Sequence, residues 1–305
     1  MTTTKKLLAI IMSLVMVFGM FTFAVSAENT ATDSYYEEGE YSIHYTVVPA
    51  QGEFKGRIMF LHGFLYSGTT WNGMAEIMSA EGYDCYLLDL PNFGYSTREN
   101  ADTQLIEREI LVTNFMKTVA PMDEWILAGH SMGGGVAMNI ACDYPELQAL
   151  MLYCPCEIAT NGNSMLNSLA TNKTLGKMMD GIFKMFLSSD LIVKAAVFMT
   201  TGDMEYAKSY DASLLADPLM IPGTGAGMLF ASANARNTDY EAVAALEMPV
   251  FLVWAEGDNV LSASNVENIS KALEGKETAT VEGSHIVIET APDTLAQISL
   301  EFLAK

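Results

Sequence analysis

Along this 305-residue chain, short unbroken apolar runs take turns with stretches of helical period. Arg57 to Leu61, Tyr83 to Leu90, Glu124 to Ala128, Ala149 to Tyr153 and Met248 to Ala255 are mostly apolar and lack a polar residue at every second place. That pattern predicts strands covered on both faces. Tyr41 to Val48 alternates and stops at Pro49, and Glu277 to Val281 reads as a last strand. Between them, Trp71 to Ala80, Thr103 to Ala120, Val136 to Tyr144 and Ser264 to Leu273 carry helical spacing. In the second of these, Asp102 is the expected N-cap, and Ile106, Ile110 and Met116 are expected to face inward. Pro292 opens a final helix with Leu295, Ile298, Phe302 and Leu303 on one face. Strand and helix in regular alternation predict an α/β fold: a mostly parallel central sheet with helices on both faces.

Two segments break the rhythm. From residue 157 to 240 no buried strand is evident, and the helical period is interrupted at Asn161-Gly162-Asn163, Thr201-Gly202-Asp203 and Ile221-Pro222-Gly223. Met165, Met178, Met179, Met185, Met199, Met204, Met220 and Met228 crowd this stretch. It is expected to be a helical lid inserted into a core made of residues 41–156 and 241–305, with adaptable side chains suited to a lipophilic group or to filling its own core. At the N-terminus, Lys5 and Lys6 precede an uncharged apolar run from Leu7 to Val25, and Val25-Ser26-Ala27 offers a small-residue cleavage site. Residues 1–27 are therefore expected to be a signal peptide of a secreted protein. A membrane anchor over residues 7–25 is the alternative, because the run is long enough to span a bilayer. Residues 28–40, polar and acidic, are expected to form a flexible linker.

Charge narrows the partners. Lys+Arg number 16 against 37 Asp+Glu, a formal charge of -21. Loss of residues 1–27 removes Lys5 and Lys6 and no acid, leaving 14 against 37, or -23. Such acidity argues against nucleic acid and against docking on anionic lipid, both of which need basic patches. No stable membrane partner is expected once the N-terminal segment is cleaved. The four cysteines, Cys85, Cys142, Cys154 and Cys156, do not form a disulfide framework by spacing. They are expected to be buried thiols, with a bridge from Cys142 to Cys154 or Cys156 as the alternative. Cys154 and Cys156 lack a second ligand pair, so no metal is expected.

Against this frame, Gly129-His130-Ser131-Met132-Gly133 stands between a strand and a helix and has the form of a nucleophile elbow. A serine on so sharp a turn needs neighbours without side chains, and the glycines supply them. The turn aims the first free N–H of the helix, that of Met132, at whatever the serine attacks. His62-Gly63-Phe64, at the end of another strand, brings a second N–H, that of Phe64, to the same place; the pair would hold an oxyanion. Serine needs a base. Of the four histidines, His130 adjoins the serine, His62 belongs to the oxyanion loop and His44 is expected on the surface of the first strand. His285, on the loop after the last strand, remains as general base. Asp258, following Gly257 at the end of the preceding strand, is the expected acid; Glu157 and Glu282 are alternatives, and Glu289 is read as structural.

These residues, together with Asp89-Leu90-Pro91-Asn92-Phe93-Gly94 and Gly283-Ser284-His285, resemble the α/β-hydrolase superfamily in its lidded branch of esterases and acylglycerol lipases. Asn92, where relatives often carry glycine, and Ser284, where many carry glycine, depart from the pattern without touching the three candidate residues. The resemblance implies an ester hydrolase of small lipophilic substrates with Ser131, Asp258 and His285 as triad and no cofactor. A serine at residue 131 sets the chain apart from dehalogenases and epoxide hydrolases, which use aspartate there. A peptidase, an amidase, a C–C bond hydrolase and a binding protein on the same fold are the other readings.

Overall fold

The computed structural model describes residues 31–100, 102–157 and 171–305. The expected signal peptide and Met165 lie outside the described residues. Eight strands form one sheet: β1 (Thr32–Glu38), β2 (Tyr41–Val48), β3 (Gly56–Leu61), β4 (Tyr83–Leu88), β5 (Trp125–His130), β6 (Ala149–Tyr153), β7 (Val250–Ala255) and β8 (Glu277–Val281). Their spatial order is β1-β2-β4-β3-β5-β6-β7-β8. The first two pairings are antiparallel and all the rest are parallel.

The buried strands show why period-two polarity was missing. In β3, Met59 and Leu61 face one hydrophobic layer while Ile58 and Phe60 face the other. The first layer is closed by α2 (Arg108–Val119) and α3 (Met132–Asp143), the second by α1 (Asn72–Ala80) and the C-terminal helix Pro292–Leu303. Both faces of each central strand lose water, so every position is selected for apolar character.

Three expectations need correction. Residues 32–38 are not part of a flexible linker but the edge strand β1, paired along its whole length with β2. The residues are polar because the strand is held by backbone bonds and is half-exposed, with Tyr36 alone packing on Phe115. The second long helix starts at Arg108, not Thr103. Before it, Gln104 N–H donates to Glu40 and Ile106 N–H to the Tyr41 hydroxyl, so tertiary partners take groups a helix turn would use. Asp102 accordingly caps nothing and pairs with Lys173, while Ile110 is exposed. All four cysteines are free thiols and the alternative bridge is not formed, but only Cys85 and Cys154 are buried; Cys142 and Cys156 are partly exposed.

The described part of the insertion between β6 and β7 is helical: α4 (Lys173–Leu187), α5 (Asp190–Thr201), α6 (Met204–Ser209), α7 (Ser213–Leu219), α8 (Thr224–Ala233) and α9 (Tyr240–Ala244). It has a small core of its own, built on Val193, Val197, Ala207, Tyr210, Ala212 and Ala216. Arg98, on the loop after β4, ties it to the sheet. Its guanidinium donates to the carbonyls of Phe93, Gly94 and Ser96 on its own loop and to Pro218 O and Thr224 Oγ1 of the insertion, the last two both at 2.9 Å. After the insertion come α10 (Ala263–Ala272), α11 (Val287–Thr290) and α12 (Pro292–Leu303).

Candidate active site

The strand order reverses at β3. The chain leaves β3 for β4 on one side and later places β5 on the other. The loops after β3 and β5 therefore part at the carboxyl edge and open a crevice, where α/β sheets bind their ligands. Ser131 stands there with φ 51° and ψ -121°, a conformation that costs of order 1–3 kcal/mol. Its backbone is held on both sides. The N–H donates to Tyr153 O at 3.2 Å, and the carbonyl accepts from the N–H groups of Gly134, Gly135 and Cys156. A Cβ on Gly129 would lie 2.4 Å from Gly133 O, and one on Gly133 would lie 2.2 Å from Leu61 O. No side chain fits at either place.

The structure brings Ser131, His285 and Asp258 into one hydrogen-bonded row. Ser131 Oγ lies 2.9 Å from His285 Nε2, and His285 Nδ1 lies 2.7 Å from Asp258 Oδ2. Asp258 also accepts the N–H groups of Val260 and Leu261 on its other oxygen. Burial pushes its pKa upward, but the His285 bond and charge and these two amides outweigh it and hold the carboxyl below its ordinary value. A carboxylate only accepts, so the imidazole proton sits on Nδ1 and the Nε2 lone pair faces the serine hydroxyl. Glu157 is engaged elsewhere, accepting from the Tyr240 hydroxyl at 2.7 Å, and Glu282 is exposed.

Met132 is the first residue of α3, so its N–H has no carbonyl of a preceding turn to reach. The loop carrying Phe64 is pressed against the elbow: a Cβ on Gly63 would come within 3.1 Å of Ser131 Cβ. The Phe64 ring packs edge-on against Phe93. His62, fully buried, accepts Leu90 N–H at Nε2 and donates from Nδ1 to Gly63 O, which ties the β3 and β4 loops together.

Sequence reasoning missed how the other histidines serve this arrangement. His130 donates from Nε2 to the backbone carbonyl of His285 at 2.8 Å, fixing the loop that carries that imidazole. Burial, with the His285 ring beside it, pulls its pKa down to about 3, so it stays neutral. His44 is not a surface residue: it is buried and bonds Asp89 at 2.8 Å. Asp89 also accepts the N–H groups of Gly68 and Tyr95. An acid set directly between the apolar pairs Leu87-Leu88 and Leu90-Pro91 was the visible signal that a buried partner had to exist. Among the described residues, one group has ligand atoms close enough for a metal. It joins Cys154 to Asp258 and His285, which are already bonded to each other. Burial and then the Asp258 charge push the Cys154 thiol up to about 12, so it keeps its proton.

Comparison with known proteins identifies the family. Residues 56–292 match the sequence profile of the alpha/beta hydrolase fold family. A monoacylglycerol lipase of Mycolicibacterium smegmatis is 26% identical over 229 residues, covering 73% of this chain and 77% of that one. A monoacylglycerol lipase of Bos taurus is 24% identical over 276 residues, covering 82% and 78%. A thioesterase domain from the curacin biosynthetic pathway superposes with a TM-score of 0.67 at 17% identity, covering 90% of this chain and all of that one. The fold and the crevice define an α/β hydrolase. The chain belongs to the alpha/beta hydrolase fold family, and its relatives include lipases and esterases.

Proposed function

We propose that the protein is a secreted serine hydrolase that cleaves carboxylic esters of lipophilic acyl groups through an acyl-enzyme intermediate. The observation that carries this reading is the continuous row Ser131 Oγ–His285 Nε2 and His285 Nδ1–Asp258 Oδ2 at the sheet's carboxyl edge. His285 takes the serine proton as Oγ attacks the ester carbonyl. Asp258 stabilises the imidazolium that results. The N–H groups of Phe64 and Met132 hold the developing oxyanion, which in a site shielded from water is the largest single aid to the step. The imidazolium then protonates the leaving alcohol. In the second half the same ring activates water against the acyl-serine, and Ser131 is restored. The helical insertion acts as a lid, and the lipophilic preference draws on the two lipase relatives. Export follows from residues 1–27 acting as a signal peptide, so the N-terminus of the exported protein is expected at Glu28.

A fluorophosphonate probe tests the chemistry. The native protein is expected to carry one adduct, located on Ser131 by mass spectrometry, and to hydrolyse esters faster as the acyl chain lengthens from acetyl to decanoyl. Ser131→Ala should lose about 10⁴-fold or more in kcat with an unchanged circular dichroism spectrum. Absence of the adduct, or preference for aminoacyl amides over esters, would overturn the assignment.

A further inference from the structure

The two loops that carry Phe64 and His285 each run on into a second cluster of side chains. Tyr66 lies two residues past Phe64 on the loop after β3, and Glu289 lies four residues past His285, on α11. The insertion adds Tyr206 from α6 and Tyr210 just after it. The Tyr206 hydroxyl donates to Glu289 Oε2 at 2.9 Å, and the Tyr206 and Tyr210 rings stand 5.8 Å apart. Burial, and then the charge of Glu289, raise the hydroxyl pKa of Tyr66, Tyr206 and Tyr210, so all three stand within reach of one carboxylate. Tyr210 is buried, while Glu289, Tyr66 and Tyr206 each keep part of their surface open.

No cation faces this acid. Among the described residues Glu289 forms no salt bridge, and Tyr206 is the only side chain that donates to it, so Oε1 has no donor. A carboxylate drawn out of water without a counter-charge is costly, and burial pushes this one up to about 7, with the Tyr206 bond pulling the other way. A carboxylate backed by tyrosine rings is the surrounding that an organic ammonium group selects: the acid supplies charge and the ring faces add their quadrupole. The cluster is placed for the alcohol side of an ester. A leaving oxygen must come within hydrogen-bond reach of His285 Nε2 to take its proton, so the alcohol lies against the loop that carries His285. Glu289 belongs to the continuation of that loop.

We propose that Glu289, with Tyr66, Tyr206 and Tyr210, selects esters whose alcohol carries an organic ammonium group. The inference rests on the ester-hydrolase reading and adds the class of alcohol that the site takes. It is compatible with a lipophilic acyl chain, because acyl and alcohol lie on opposite sides of the ester bond. Glu289 touches the leaving group and takes no part in breaking or making a bond.

The test compares butanoylcholine with neohexyl butanoate, its uncharged carbon analogue, on the full chain. Salt at about 0.3 M screens the general attraction of an acidic molecule for cations. The quantity read is the ratio of the two kcat/KM values, in which the titration of His285 cancels because both esters need it. At about pH 8, Glu289→Gln should lower the ratio by about thirtyfold. In the native protein the ratio should rise by about tenfold from about pH 6 to about pH 8 as Glu289 ionises, and in the variant it should stay flat. Tyr66, Tyr206 and Tyr210, the titratable groups that face Glu289, remain neutral throughout that range. Fluorophosphonate labelling of Ser131 shows that both proteins are folded. The same ratio in native protein and variant, or a native ratio that ignores pH, would overturn the proposal and leave ester hydrolysis standing. Cleavage of neither ester would instead overturn the hydrolytic reading, and this inference with it.

Discussion

Glu289 carries its consequence alone. It sits four residues past His285, accepts the Tyr206 hydroxyl of α6 at 2.9 Å, and has Tyr66 and Tyr210 nearby. Burial pushes its carboxyl up to about 7, with the tyrosine bond pulling the other way. An acid with a raised pKa makes the folded state bind more protons than the unfolded chain between pH 4.5 and 7, so stability falls as pH rises through that window. Glu289→Gln keeps the contact with Tyr206 and removes the penalty. It should match the native protein near pH 4.5 and exceed it by about 3 kcal/mol at pH 8 in urea unfolding. A constant difference at both pH values would mean that folding does not raise the pKa of Glu289. The sequence marked Glu289 as structural but not as a raised acid, because neighbours such as Tyr206, 83 residues away, come from the insertion.

At the scale of elements, the elbow and the β3 loop are one device. Gly133 exists as glycine because the Leu61 and His62 carbonyls leave no room for a methyl group. Gly133→Ala should cost about 3 kcal/mol and displace the loop that carries Phe64, so thermal melting and hydrolytic rate should fall together. A stable variant with lost activity would separate the loop's position from the packing. The elbow was legible because its steric demand is local and written in adjacent residues. The parallel strands were legible because burial on both faces leaves continuous apolar runs. Elements set by distant partners were not. β1 looks like a linker because an edge strand bound through its backbone needs no apolar pattern. The start of α2 slipped because Glu40 and Tyr41, far back in the chain, compete for its N–H groups. His44 looked superficial because its partner Asp89 is 45 residues on. The methionines of the insertion were visible as composition, but Met178, Met185, Met199 and Met204 point outward and only Met228 among the described ones is fully buried. Helical period alone does not say which face meets the sheet.

For the whole molecule, self-repulsion is the governing electrostatic term. Its Lys and Arg ion pairs with carboxylates, such as Lys55–Glu81 and Lys208–Glu205, are mostly exposed and contribute little. The surplus of acids acts over the whole surface. Raising salt from about 10 mM to about 300 mM should therefore raise Tm by a few degrees, because screening relieves repulsion more than it weakens these pairs. A fall in Tm on adding salt would show that the pairs dominate. Arg98 gives the molecule a further property. By clasping Pro218 and Thr224 it fastens the later half of the insertion to the loop after β4, and it makes no such bond to α4 or α5. Asp180 of α4 holds Gly223 and Gly225 on either side of Thr224, so a replacement in the earlier half is passed through that clasp to the loop after β4. Drift in one half of the insertion is therefore inherited together with drift in the other.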